Sequence, residues 1–174
     1  MDQEVEVTET IEQYKARILG LASAQKPLKV QASTPGKIQK LIRGVRARKL
    51  TRAPGPGKWS VAEIIAHLAD AELVGGYRLR MILTVPGTPI QAYDQNKWAE
   101  AGRYSKQNAR KSLEMFRTLR EANVALMKSL TSEQWSRSGM HAERGEESIK
   151  RLSEMYAGHD INHLKQIEAI LKGQ

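Results

Sequence analysis

Cysteine is absent from the 174 residues of this chain. This absence excludes disulfide bonds, cysteine nucleophiles and thiolate metal ligands. A metal ion would therefore have to bind through nitrogen and oxygen atoms. A reaction that consumes a thiol would have to take that thiol from outside the chain.

Long apolar runs are also missing. No stretch approaches the roughly 20 apolar residues needed to cross a bilayer. Residues 1–10 are acidic and lack the basic-then-apolar layout of a secretion signal. We therefore expect a cytoplasmic protein of bacterial type without a membrane partner, and we expect residues 1–10 to be flexible. Hydrophobic residues make up 40% and charged residues 27% of the chain, which is typical of one globular domain with a sizeable core.

Acidic residues are outnumbered, with 19 against 28 lysines and arginines and a net charge of +9. Between residues 37 and 52 seven basic residues meet no acid: Lys37, Lys40, Arg43, Arg46, Arg48, Lys49 and Arg52. A phosphate-binding stripe would have this spacing, yet no recognition helix or aromatic stacking motif accompanies it. We interpret the segment as a solvated helix face and do not expect nucleic acid as a partner. A basic surface would also suit an anionic small-molecule substrate.

The apolar residues recur with helical spacing throughout, and no strand pattern is visible. The sequence therefore predicts an all-α protein with an N-terminal helix and four further helices. The predicted helices cover residues 8–22, 34–45, 60–83, 108–130 and 146–171. A long crossover with one helical turn near residues 94–100 joins the second and third main helices, and residues 139–145 are predicted to form a loop.

Two helix starts have recognisable end signals. Ser60 and Glu63 form a predicted capping box, in which the serine caps the helix and the glutamate three residues later bonds back. Thr34 followed by Pro35 predicts a second start, because proline is well tolerated at the first helical position. These signals predict where the first and second main helices begin.

Histidine is rare, and three of the four histidines have a suggestive arrangement. His159 and His163 lie four positions apart on a predicted helix, so both imidazoles project from one face. His67 lies beside the apolar stripe of another long helix. Facing helices of a bundle could bring the three together as nitrogen ligands of one metal ion. The alternative is that they are structural histidines beside the core.

Two segments resemble the DinB-like superfamily. Residues 59–72 (WSVAEIIAHLADAE) are similar to its second-helix motif, and residues 157–167 (AGHDINHLKQI) are similar to its last helix. The resemblance implies a four-helix bundle over residues 33–172, within a single DinB-like domain covering residues 1–174. It also implies that His67, His159 and His163 bind one divalent metal ion, most often nickel or zinc. Imidazole ligands would also accept iron or manganese.

The resemblance also implies a class of reaction. Bacillithiol transferases and mycothiol-dependent maleylpyruvate isomerases belong to this superfamily, so we expect a metal-dependent transferase that adds a low-molecular-weight thiol to an electrophilic small molecule. One alternative is a metal-dependent hydrolase. Another is a non-enzymatic metal- or ligand-binding module. We also expect a homodimer, in which Trp135 or Phe116 could lie where helices of the two protomers meet.

Other site residues are predicted more loosely, and no catalytic side chain is assigned. Asp70 lies three positions after His67 and could orient its imidazole, whereas Asp160 is predicted to form a surface ion pair. His141 and Tyr93 are candidates for substrate contact, although His141 could equally be an exposed loop residue. Asn162 and Gln166 are predicted to be packing or surface residues.

Overall fold

The computed structural model describes residues 9–173. The predicted flexibility of residues 1–10 therefore falls mostly outside the described residues. The α-helices are α1 (Ile11–Ala22), α2 (Pro27–Leu41), α3 (Ala47–Leu50), α4 (Val61–Thr84), α5 (Gln95–Ala101), α6 (Ala109–Lys128), α7 (Ser132–Ser136) and α8 (Ile149–Lys172). One 3-10 helix spans Tyr104–Lys106.

Helices α2, α4, α6 and α8 form a four-helix bundle, and α1 packs against α8 as an additional helix. The predicted fold class is therefore confirmed, including the long crossover between α4 and α6 that contains α5. Phe116 is fully buried in the bundle core, so the prediction that it lies at a dimer contact is wrong. None of the described helices is both long enough and apolar enough to span a membrane.

A small sheet was not predicted. Strand β1 (Pro89–Ile90) pairs in parallel with β2 (Ser138–His141), and β2 pairs antiparallel with β3 (Gly145–Ser148). The predicted loop at residues 139–145 is wrong, because β2 and β3 form a hairpin there. The predicted start of the last helix at residue 146 is also wrong, since Ser148 caps α8 by accepting a hydrogen bond from Arg151 N. Strands of two to four residues are too short to show a clear alternating pattern.

Helix α2 begins seven residues before the predicted start at Thr34. Pro27 takes the first helical position, and Pro35 lies inside the helix. An internal proline lacks the N–H that would bond to the carbonyl four residues earlier. That carbonyl belongs to Gln31, and it accepts a hydrogen bond of 2.9 Å from Arg120 Nη1 instead. A partner from α6 therefore satisfies the acceptor that Pro35 leaves free.

The predicted capping box of α4 is confirmed, with Ser60 accepting from Glu63 N and the Glu63 carboxylate accepting from Ser60 N. The helix runs for 24 residues and is buried along most of its length. Complete burial of a side chain such as Ile65 contributes about 1.5–3 kcal/mol. This packing gives His67 a rigid support in the middle of the bundle.

Asp160 is completely buried, so its predicted surface ion pair is wrong. Its carboxylate accepts two hydrogen bonds from Arg120, at 2.5 and 3.0 Å. Arg120 Nε also donates to Glu72 at 2.8 Å, and Asn123 Nδ2 donates to Glu72 at 2.8 Å. This buried network joins α4, α6 and α8 beside the histidines.

Candidate metal centre

Three histidines converge between α4 and α8. The Nε2 atom of His159 lies 3.1 Å from Nε2 of His67 and 3.1 Å from Nε2 of His163. One ligand atom from each of the three lies within 4.8 Å of the others. The arrangement follows from helix periodicity, because His159 and His163 are one turn apart on α8 and His67 faces them from α4.

These nitrogen atoms fit a divalent ion. Two imidazole nitrogens bound tetrahedrally at about 2.0–2.1 Å from one ion are about 3.3 Å apart, close to the observed 3.1 Å. Hydrogen bonding alone explains the cluster poorly. The Nε2 atom of a neutral imidazole carries either a proton or a lone pair, so that of His159 cannot donate to one neighbour and accept from the other. A cation accommodates three lone pairs at once.

Electrostatics keep the imidazoles neutral, which is the form that binds metal. Burial, assisted by the charge of His163, lowers the pKa of His67 to about 3. Burial also holds the pKa of His159 well below its ordinary value and lowers that of His163. The lone pairs of all three are therefore available at neutral pH.

The Nδ1 atoms of the histidines differ in their hydrogen-bond partners. His163 Nδ1 lies 2.7 Å from Gln166 Oε1, an acceptor that places the proton on Nδ1 and leaves the Nε2 lone pair free. Sequence reasoning missed this role, although Gln166 lies three positions after His163 on one helix. Asp70, the predicted orienting residue, accepts from the Tyr104 hydroxyl at 2.5 Å instead. His67 Nδ1 is buried without a hydrogen-bond partner among residues 9–173.

A cleft of about 340 Å³ opens from the histidines between α4 and α8. His67 and His159 line it, together with Tyr93, whose predicted contact with substrate stays a prediction. Its other lining residues are Tyr14, Ala71, Arg78, Asp94, Gln95, Glu143, Arg144, Leu152, Met155 and Tyr156. Sequence reasoning missed both arginines, because only the tertiary structure shows that they line this cleft. The cleft is large enough for a small organic molecule.

His141 is placed differently from either prediction. It lies in β2, is only 3% exposed and does not line the cleft. Its Nδ1 accepts a hydrogen bond from Glu143 N at 3.2 Å. Burial and the nearby charge of Arg144 lower its pKa to about 4. The predicted exposed loop position is therefore wrong, and the structure gives no support to direct substrate contact.

A second cleft of similar volume also touches the centre. It touches His163 and Gln166 and is lined by Trp59 and Ile170 among others. It contains one of the three histidines, whereas the first cleft contains two. The first cleft is therefore the better route to the centre for a substrate.

Known proteins are similar to this chain in sequence or in fold. A protein of Halalkalibacterium halodurans named "Putative metal-dependent hydrolase" is 26% identical over 83% of this chain and 84% of its own length. A protein of the same name from Oceanobacillus iheyensis is 31% identical over 67% of each chain. The solved structure of YfiT from Bacillus subtilis is described as "a probable metal-dependent hydrolase with an unusual four-helix bundle topology". It matches with a TM-score of 0.78 at 21% identity and covers 99% of this chain and 91% of its own.

A family description also matches most of the chain. The match covers residues 32–167 and therefore includes the histidines on both α4 and α8. Because it spans well over half of the chain, it establishes the family without reference to any single relative. The chain belongs to the DinB superfamily.

Proposed function

We propose that this protein is a metal-dependent enzyme in which His67, His159 and His163 bind one divalent ion. The convergence of three Nε2 atoms at a cleft lined by His67 and His159 carries the proposal. Nickel or zinc is the preferred ion, and an all-nitrogen ligand set also permits iron or manganese. Three protein ligands leave coordination positions open, as in catalytic rather than structural sites.

The chain's own residues prepare this chemistry. A bound divalent ion supplies Lewis acidity, which favours the anionic form of a thiol or water nucleophile. Gln166 fixes the ring of His163, and burial keeps the imidazoles neutral. No described side chain is assigned a proton-transfer role.

The proposed reaction is transfer of an external low-molecular-weight thiol to an electrophilic carbon of a small substrate. In a substitution the sulfur–carbon bond forms while the bond to the leaving group breaks, and the thiol proton passes to the leaving group or to solvent. In an addition the thiol proton passes to the product. Because the chain contains no cysteine, the thiol must come from solution. Hydrolysis is the second candidate, since relatives are named for metal-dependent hydrolysis. In that reaction water replaces the thiol.

Elemental analysis of protein purified without a histidine tag tests the metal centre. We expect one divalent ion per chain in the unmodified protein and none in the triple variant His67→Ala, His159→Ala, His163→Ala. His141→Ala is the matched control, because it removes a buried histidine outside the cluster and should retain the ion. Absence of metal after exposure to nickel and zinc would refute the proposal.

Turnover assays then separate the reactions. Metal-loaded protein is incubated with monochlorobimane and bacillithiol, mycothiol or glutathione, and separately with p-nitrophenyl acetate. A metal-dependent thiol adduct identified by mass supports transfer, whereas ester cleavage without adduct supports hydrolysis. Stoichiometric metal without either product would favour a non-enzymatic binding module. The expected homodimer is tested on the same samples by sedimentation.

A further inference from the structure

Arg78 is a buried cation without a carboxylate partner. It is only 7% exposed and lines the cleft. No ion pair joins it to an acidic residue in the described part of the chain, residues 9–173. Its Nη2 donates to Gln91 O at 2.6 Å, and its Cζ lies 5.8 Å from the centre of the Tyr93 ring. Buried charges are ordinarily paired, because desolvation without a partner is costly.

The other charges of the cleft are already balanced or exposed. Arg144 forms two hydrogen bonds with the buried Glu147, at 2.7 and 2.8 Å. Asp94 and Glu143 lie at the exposed side of the cleft. The guanidinium of Arg78 is therefore the buried lining charge that a ligand can neutralise. Asp94 and Glu143 would repel a ligand with two negative charges, so the cleft favours a ligand with one negative charge.

Arg78 lies on the same helix as His67, and their spacing along α4 determines how they face the cleft. Arg78 follows His67 by eleven positions, close to three full turns, so the two residues share a face about 16 Å apart along the helix axis. Ala71 lies between them on that face and lines the cleft without filling it. Leu152 and Met155 supply apolar wall from α8. The cleft is thus cationic near one end, apolar along its wall and nitrogen-lined at the other end.

We propose that this cleft binds a small organic monocarboxylate, with the carboxylate at Arg78 and the apolar body along Leu152 and Met155. The opposite end of the molecule then lies at His67 and His159. This inference rests on the proposed function, since it identifies the substrate class of that centre. Guanidinium groups bind carboxylates through two parallel hydrogen bonds, which fixes the direction in which the molecule enters.

The first test uses unmodified protein and a matched pair of probes, 4-phenylbutyrate and 4-phenylbutyramide. Affinities are measured by ligand-observed NMR titration of metal-free and zinc-loaded protein. We expect the acid to bind roughly tenfold to a hundredfold more tightly than the amide, as for a charge-assisted hydrogen bond. We expect this preference with and without zinc, because it depends on Arg78. Equal binding of acid and amide to the metal-free protein overturns the proposal.

Variants then locate the anion. Arg78→Gln should remove the preference for the acid, and Arg78→Lys should retain part of it because the charge remains. Arg80→Gln is the control, since Arg80 is an exposed arginine of the same helix. Circular dichroism verifies folding of each variant. Unchanged acid preference in folded Arg78→Gln overturns the proposal, as does loss of the preference in Arg80→Gln alone.

Two further measurements separate this inference from the metal proposal and from another anion class. Metal content is measured for every variant, and Arg78→Gln should retain the ion of the unmodified protein. If the unmodified protein binds no metal but still prefers the acid to the amide, the metal centre is refuted and the anion site at Arg78 stands. Phenyl phosphate should bind more weakly than 4-phenylbutyrate, because Asp94 and Glu143 repel a dianion. Tighter binding of the phosphate would overturn the assignment to carboxylates.

Discussion

The Nη1 atom of Arg120 donates a hydrogen bond of 2.9 Å to the carbonyl oxygen of Gln31, the acceptor that Pro35 leaves without its helical partner. The same guanidinium binds Glu72 and Asp160. One side chain of α6 therefore contacts α2, α4 and α8. Because α4 and α8 carry the three histidines, this network fixes the spacing of the two helices on which the candidate centre depends.

We predict that Arg120→Met strongly destabilises the fold. Glu72 and Asp160 would remain buried without their cation, and removal of one partner of a buried ion pair typically costs about 3–5 kcal/mol. The free energy of unfolding is measured by urea titration. Arg117→Met is the control, because Arg117 is only half-buried and its hydrogen bond to Gln39 lies at the surface; its effect should stay within about 0.5 kcal/mol. Equal stability of the two variants would contradict this account.

The network shows why periodicity predicts helices better than it predicts buried polar contacts. Apolar spacing located the long helices and the capping box located the start of α4, since both depend on residues close in sequence, whereas the Thr34–Pro35 signal misplaced the start of α2. Asp160 was predicted at the surface because, although it adjoins His159 in sequence, it points away from the His159 face of the helix. Its partner Arg120 lies 40 positions away. Only the packed bundle brings that cation to it, and no local pattern encodes the pair.

At the candidate site, too, patterns local in sequence were predictable and contacts made only in the packed fold were not. His159 and His163 were predicted together from one-turn spacing, and His67 was added by its place in a second motif. Gln166 also lies one turn from His163, but glutamine on an exposed helix face gives no distinctive signal. Arg78 was missed, because its isolation from carboxylates is a property of the tertiary structure. Ligand types were thus predictable, whereas their supporting partners were not.

We predict that Gln166→Leu weakens metal binding about tenfold to a hundredfold without unfolding the protein. Loss of the acceptor at His163 Nδ1 frees the imidazole to change tautomer and orientation, and such outer partners typically contribute this much to metal affinity. Affinity for zinc is measured by competition with a chromophoric chelator. Lys165→Leu, an exposed neighbouring position, is the control and should leave affinity unchanged. Identical affinities for the two variants would exclude an orienting role for Gln166.

The metal-free protein should lose stability as the pH falls from about 6.5 towards 3. The pKa of His67 is lowered from 6.5 to about 3 in the folded state, with burial as the main cause. Between these values the unfolded chain binds a proton that the folded chain does not. The free energy of unfolding therefore decreases with falling pH, by up to about 1.4 kcal/mol per pH unit for one histidine. Urea titrations of chelator-treated protein at several pH values measure this slope.

His67→Gln provides the comparison for that slope. The variant lacks the titrating imidazole, so its stability should depend less steeply on pH, whatever its absolute stability at neutral pH. Burial also lowers the pKa values of His159, His163 and His141, so a residual slope of the same sign is expected. Parallel slopes in the variant and the unmodified protein would show that His67 is not the buried neutral base described here.

Two glycines on neighbouring helices should respond oppositely to alanine. A Cβ at Gly158 of α8 would collide with the backbone carbonyl oxygen of Ile18, whereas a Cβ at Gly20 of α1 meets nothing within 4 Å. Backbone cannot rotate away as a side chain can, so Gly158→Ala should displace α1 and cost about 1–3 kcal/mol.

Gly20→Ala should instead stabilise the protein by about 0.5–1 kcal/mol, because alanine loses less conformational entropy in a helix. Urea unfolding of both variants measures the contrast. Since Tyr14 of α1 lines the cleft, Gly158→Ala should also weaken binding of 4-phenylbutyrate, and Gly20→Ala should not. If Gly158→Ala were as stable as Gly20→Ala, the close approach of α1 to α8 would be wrong, and with it the wall that α1 gives the cleft.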